Sequence, residues 1–165
     1  MASGDSLCVF TPAMAELPSS NYATFDVRNG VLVLDFDDGT DESAEFAGFM
    51  PRHYDGGGLT VTIGWMASSA TSGNCDWEVS LKSVSDDADD LDTKAFASAN
   101  GVIAAAASAS GEVAYDTVTF TDGADMDSIA AGEYFRLELN RDANDATNDT
   151  MTGDAELVFI EIRET

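Results

Sequence analysis

One histidine, two cysteines and a dense field of carboxylates are the groups in this 165-residue chain that could do chemistry. His53 stands in Met50-Pro51-Arg52-His53-Tyr54, just ahead of a glycine turn. A single imidazole cannot build a histidine-based metal cluster, and a catalytic role needs a nucleophile or carboxylate arranged around it. His53 therefore reads as a loop residue at a surface or interface. Cys8 and Cys75 lie far apart and form no CxxC pair, so they read as reduced thiols. The chain has no P-loop, dinucleotide fingerprint or GxSxG elbow. Gly56-Gly57-Gly58 is followed by no lysine and leads into a strand, which removes a phosphate role too.

Asp35, Asp37, Asp38, Asp41 and Glu42 crowd around Gly39 and have the right ligand type for calcium. An EF-hand wants ligands at alternate positions and a glycine at the sixth; counted from Asp35, the sixth residue is Thr40, so the pattern fails. A calcium site on a sandwich loop stays open beside the plainer reading of a solvated acidic turn, and Asp86, Asp87, Asp89 and Asp90 read as a solvated loop. Asn148-Asp149-Thr150 matches the glycosylation triplet, but Met1 to Phe10 lacks the basic and apolar regions of a secretory signal. No metal, cofactor or enzyme active site is expected.

The 31 acidic and 7 basic side chains give a formal net charge of -24. Such a chain repels phosphate backbones and anionic membranes, which excludes nucleic acid and membrane as partners. What remains is solubility in a salty medium, divalent cations, or a partner with a basic face.

The elements that would position any site are short β-type runs between turn clusters. Val31 to Phe36 is apolar enough for burial on both faces. Ser43 to Phe49 follows, then Leu59 to Trp65, whose alternation marks a half-buried strand. Trp77 to Lys82 alternates likewise. Residues 95–110 are ambiguous, with an irregular strand over Val102 to Ala107 as the reading adopted. Glu112 to Thr121, Tyr134 to Asn140 and Leu157 to Ile162 complete the set, and Asp125 to Ala131 suits one helical turn. The pattern predicts an all-β, eight-stranded β-sandwich, jelly-roll-like, over residues 25–165. Residues 1–24, punctuated by Pro12 and Pro18, read as an extended N-terminal arm. Its apolar anchors are Val9, Phe10, Met14, Leu17 and Tyr22.

Several blocks together carry a resemblance. They are Asn21 to Gly30, Leu34-Asp35-Phe36-Asp37, Glu42-Ser43-Ala44, Met50-Pro51-Arg52, Tyr54, Gly56-Gly57-Gly58, Phe120 to Ala124, Met126-Asp127-Ser128, Ala131-Gly132-Glu133, Phe135-Arg136-Leu137 and Gly153 to Leu157. From about residue 21 onward the chain resembles small virion structural proteins of tailed bacteriophages from marine and environmental sources. The resemblance implies a non-enzymatic capsid decoration (cement) protein, made in the host cytoplasm and placed on the outer capsid surface of the virion. It implies a homotrimer whose partner is the major capsid protein of the same phage. The arm residues would then clamp neighbouring subunits, and Arg28 and Arg52 would meet acidic groups across the interface. The alternative is a tail or head-fibre module binding a host-surface glycan, with Trp65, Trp77 or Tyr54 as an exposed platform; the alternation around both tryptophans favours the core instead.

Overall fold

The computed structural model describes residues 4–165; the first three residues of the expected arm lie outside the described residues. Eleven strands form: β1 (Ser6–Phe10), β2 (Ala15–Glu16), β3 (Thr24–Arg28), β4 (Val31–Phe36), β5 (Glu42–Phe49), β6 (Leu59–Ala67), β7 (Asn74–Val84), β8 (Asn100–Ala105), β9 (Ala114–Phe120), β10 (Tyr134–Arg141) and β11 (Ala155–Glu164). One sheet runs β3-β4-β11-β6-β9, with β1 also on β11. The second runs β2-β5-β10-β7-β8. All strand pairs are antiparallel, and the two sheets stack as a jelly-roll-like β-sandwich. The eight strands read from the sequence are all present. The other three, β1 to β3, come from residues 6–28, where prolines and polar residues hide a strand pattern. The predicted helical turn is a 3-10 turn, Ala124–Met126.

The N-terminal stretch is extended but lies on its own domain. β1 sets Phe10 opposite Ile160 of β11, and β2 sets Ala15 opposite Phe46 of β5. Phe10 is 2% exposed. Its ring lies 5.6 Å from that of Phe46 and 6.2 Å from that of Phe135. It is therefore a core residue, which corrects its reading as an arm anchor. Gly48 makes the room, since a Cβ there would stand 2.6 Å from Phe135 and 2.9 Å from Phe10.

The core centres on Trp65 and Trp77, both fully buried and edge-to-face at 5.8 Å, with Phe36 edge-on to Trp77 at 5.0 Å. Such pairs contribute about 0.5–1.5 kcal/mol each beyond their buried area. β6 alternates as expected, yet all nine of its residues are buried. It sits between β11 and β9, whose side chains shade its outward Thr60 and Thr62.

Arg141 closes one end of the sandwich. It is fully buried and uses all five guanidinium N–H groups. Nε and Nη2 donate to Asp149 at 2.8 Å each, Nη1 to the carbonyls of Phe36 and Gly153, and Nη2 also to Met151. One side chain of the second sheet thus holds the end of β4 and the loop entering β11.

Candidate functional site

The structure separates the residues singled out by sequence. Val9, Met14, Leu17 and Tyr22 are exposed. Arg28 donates to Glu156 of its own chain at 2.5 and 2.6 Å and to the Ser68 carbonyl. It is thus tied internally by an ion pair. Arg52 is exposed and lies against Gly132, and His53 is exposed. Trp65, Trp77 and Tyr54 are all buried, the last at 4% exposure, so none of them forms a surface platform.

A different face gathers aromatic and planar polar groups. On the outer side of the second sheet, β10 lies between β5 and β7 in unbroken register, and its outward residues alternate with the buried Phe135, Leu137 and Leu139. Four rows result. Phe49, Tyr134 and Val84 form the first, and Ala47, Arg136 and Lys82 the second. Glu45, Glu138 and Ser80 form the third, and Ser43, Asn140 and Glu78 the fourth. Rows two residues apart on a strand are spaced by about 6.8 Å, so the strip is roughly 20 Å long and three strands wide. Phe49 is 53% exposed and borders a groove of about 350 Å³ with Val84, Gly132, Glu133 and Tyr134.

The polar groups of the strip fix one another. Arg136 donates to Glu45 at 2.8 Å, to Glu16 of β2 at 2.6 Å and to the Tyr134 hydroxyl at 3.2 Å. Burial works against its charge, but these hydrogen bonds together outweigh burial and raise its pKa. Lys82 Nζ stands 4.3 Å over the Phe96 ring, and Asn140 donates to Glu78 at 3.3 Å. Burial first, then the neighbouring Glu45 and Glu78 charges, pushes the Glu138 carboxyl up, against the pull of Lys82. Burial likewise raises Glu78 despite its bond from Asn140. The strip can therefore offer fixed carboxylates, an amide and a guanidinium beside two rings.

The acidic residues expected around Gly39 part company. Asp37 and Asp38 meet Asp154, while Asp35 joins Asp26 and Glu156; in each trio one oxygen per residue lies within 4.8 Å of the others, as in Asp76, Asp142 and Asp145. Asp41 accepts from the Asn144 N–H and Glu42 from that of Asp37. These are the carboxylates that could hold a cation.

The outward polar alternation of β7 and β10 is readable in the sequence. Their adjacency is not, because they are separated by β8 and β9 in the chain.

No family model matches the chain, and no characterised protein matches it in sequence. Among solved structures, the fold is similar to a family GH115 4-O-methyl-alpha-glucuronidase with specificity for decorated arabinogalactans, at TM-score 0.53 and 12% identity over 99% of this chain and 18% of that one. It is also similar to Clostridium thermocellum endo-1,4-beta-D-xylanase 10B, whose CBM22-1 and GH10 modules were complexed with xylohexaose, at TM-score 0.51 and 13% identity over 100% of this chain and 29% of that one. The chain thus spans less than a third of either protein. A carbohydrate-binding module, CBM6cm-2 from Cellvibrio mixtus lichenase 5A in complex with cellotriose, aligns at TM-score 0.46 and 10% identity over 98% of this chain and 99% of that one. At such identities the likeness concerns the fold.

Proposed function

We propose that this chain is a non-catalytic glycan-binding module that holds a short run of sugar rings on the outer strip of its second sheet. The observation that carries this reading is the aromatic row of exposed Phe49 and half-buried Tyr134 leading into Arg136, Glu138, Asn140 and Glu78 in register. Aromatic rings pair an apolar face with a wet surroundings, which suits the C–H face of a pyranose. Carboxylates, amides and guanidinium groups supply donors and acceptors in fixed planes, which suits neighbouring hydroxyls. The likeness in fold to a xylanase complexed with xylohexaose supports testing xylo-oligosaccharides first.

The test is calorimetry against soluble xylo- and gluco-oligosaccharides together with a glycan array. Tyr134→Ala and Asn140→Ala should each weaken binding about tenfold, the equivalent of about 1.4 kcal/mol, with the melting curve retained. Binding that ignores both substitutions, or no binding across the array, would overturn the proposal.

The phage setting is part of the proposal: a tail or head-fibre module that meets a host-surface glycan. A second reading, the capsid decoration protein on the major capsid protein, is favoured by the exposed side chains of Met14, Leu17 and Tyr22, at 47%, 36% and 44%. Copy number in purified particles separates the two. Hundreds of copies on the head lattice support decoration, and a few tens at the tail support receptor binding.

A further inference from the structure

The part of the first sheet's outer face built by β6 and β9 is chemically unlike the rest of the molecule. The outward positions of β6 are Thr60, Thr62, Gly64 and Met66, and those of β9 are Tyr115, Thr117 and Thr119. No charge stands on these two strands' outward positions, in a chain of net charge -24. Beside them, Gly64 leaves its place to the Phe159 ring, which a Cβ would meet at 2.0 Å. Phe159 can lie there because a register shift between Leu157 and Phe159 sets Val158 outside the ladder. Tyr115 then packs edge-on against Phe159, with ring centroids 4.9 Å apart, and remains 69% exposed. Next to this knob is an apolar groove of about 330 Å³ whose walls include Val31, Met66, Val113 and Val158. Val31 is 51% exposed and Val113 43%.

We propose that a second copy of this chain docks on this face across a two-fold axis, with Tyr115 of each copy entering the apolar groove of the other. Three observations select that occupant. A knob and a socket on one face are self-complementary, which is what a two-fold interface requires. The stripe is where two strongly acidic copies meet with least repulsion, since its own outward positions carry no charge; beside it stand the Asp26, Asp35 and Glu156 carboxylates, of which Arg28 pairs with Glu156, and the Glu161 carboxylate, which accepts from Ser6 Oγ. The size also fits. The five strands β3, β4, β11, β6 and β9, which are 5, 6, 10, 9 and 7 residues long, give a footprint of roughly 600 Å² at about 4.8 Å by 3.4 Å per residue, at the lower edge of the ~600–1,000 Å² per partner of a standard interface. The sugar-binding strip lies on the opposite sheet and stays open in such a dimer.

Sedimentation equilibrium and light scattering on the full chain test this. The expected mass is twice the 17.3 kDa of one chain. Added salt should tighten the dimer, because it screens like-charged copies while leaving apolar contact intact. Tyr115→Glu and Val31→Glu should each weaken dimerisation at least about tenfold, or about 1.4 kcal/mol, with unchanged melting curves. Leu91→Glu, at a side chain 55% exposed in the acidic loop, should leave the mass alone. A monomer at all accessible concentrations overturns the proposal, and so does a trimer or a dimer indifferent to both face substitutions. If Tyr115→Glu impairs folding, Val31→Glu decides the matter alone. Sugar binding is read separately, so either result leaves the glycan proposal standing or falling on its own test.

Discussion

Replacing Arg141 by Met tests the buried pin most directly. The guanidinium is 0% exposed and its partner Asp149 2%, so neither charge has water to fall back on. Methionine has similar reach but no donor. Asp149 would keep only neutral partners, the Asp76 N–H at 3.1 Å and the Cys75 thiol, and the carbonyls of Phe36, Met151 and Gly153 would lose a donor they now share. Removing one partner of a buried pair costs about 3–5 kcal/mol, because the other charge stays buried and uncompensated. For a domain of this length each kcal/mol moves the midpoint by roughly 2–4 °C, so Tm should fall by about 6–20 °C. Urea unfolding followed by tryptophan fluorescence reports the same loss, since Trp77 pairs with Arg141 across β7 and β10. Arg141→Met combined with Asp149→Leu removes the stranded charge and should recover part of the deficit. A single substitution costing less than about 1 kcal/mol would refute the reasoning, and so would a double one no better than the single.

Two further outcomes follow from the geometry. Phe10→Ala should cost about 3–5 kcal/mol in urea unfolding, and deleting the first ten residues should destabilise the isolated domain, where a free arm would leave it unchanged. Burial, then the Glu156, Asp26 and Asp154 charges, pushes the Asp35 carboxyl up from 3.8 to about 6. A carboxyl raised in the folded state binds protons there first, so its contribution is full below about pH 4 and is lost as pH rises through about 6. Asp35 is partly solvated, which discounts the effect to about 1 kcal/mol. Asp35→Asn should therefore stabilise the domain at pH 8 and flatten the pH profile of Tm between 4 and 6; an unaltered profile would contradict this.

The sandwich itself was legible because strand alternation is local. Leu59, Val61, Ile63 and Trp65 announce a buried face one residue at a time, and turn clusters such as Asp37 to Asp41 mark where strands stop. The N-terminal strands were not legible for the opposite reason. Thr24 to Arg28 is exposed at four of five positions, and Ala15–Glu16 is too short for any period. Phe10 looked like one apolar side chain among several; only Gly48, thirty-eight residues later, shows where it goes. The candidate strip was half legible. Its polar positions were readable on β10 and on β7, but a row such as Ala47, Arg136 and Lys82 exists only once the register is known.

The scarce cations explain much of what composition leaves obscure. Among the described residues, four of the seven Lys and Arg side chains form ion pairs, and each joins segments distant in sequence or turns that a field of carboxylates would drive apart. Arg28 fastens edge strand β3 to β11 through Glu156. Arg136 fastens β2 and β5 to β10 through Glu16 and Glu45. Arg141 holds the loop before β11, and Lys94 ties Asp89 of the acidic loop to Asp127 beyond β9. A chain this acidic can thus fold without neutralising its surface, because its few positive charges stand at junctions where repulsion would otherwise open the sandwich. The same placement leaves β6 and β9 bare of charge on their outer side, where an apolar surface can form without paired ions. Acidity and an uncharged stripe are then two results of one arrangement: cations serve the seams, carboxylates cover the loops, and the outward positions of β6 and β9 are left without charge.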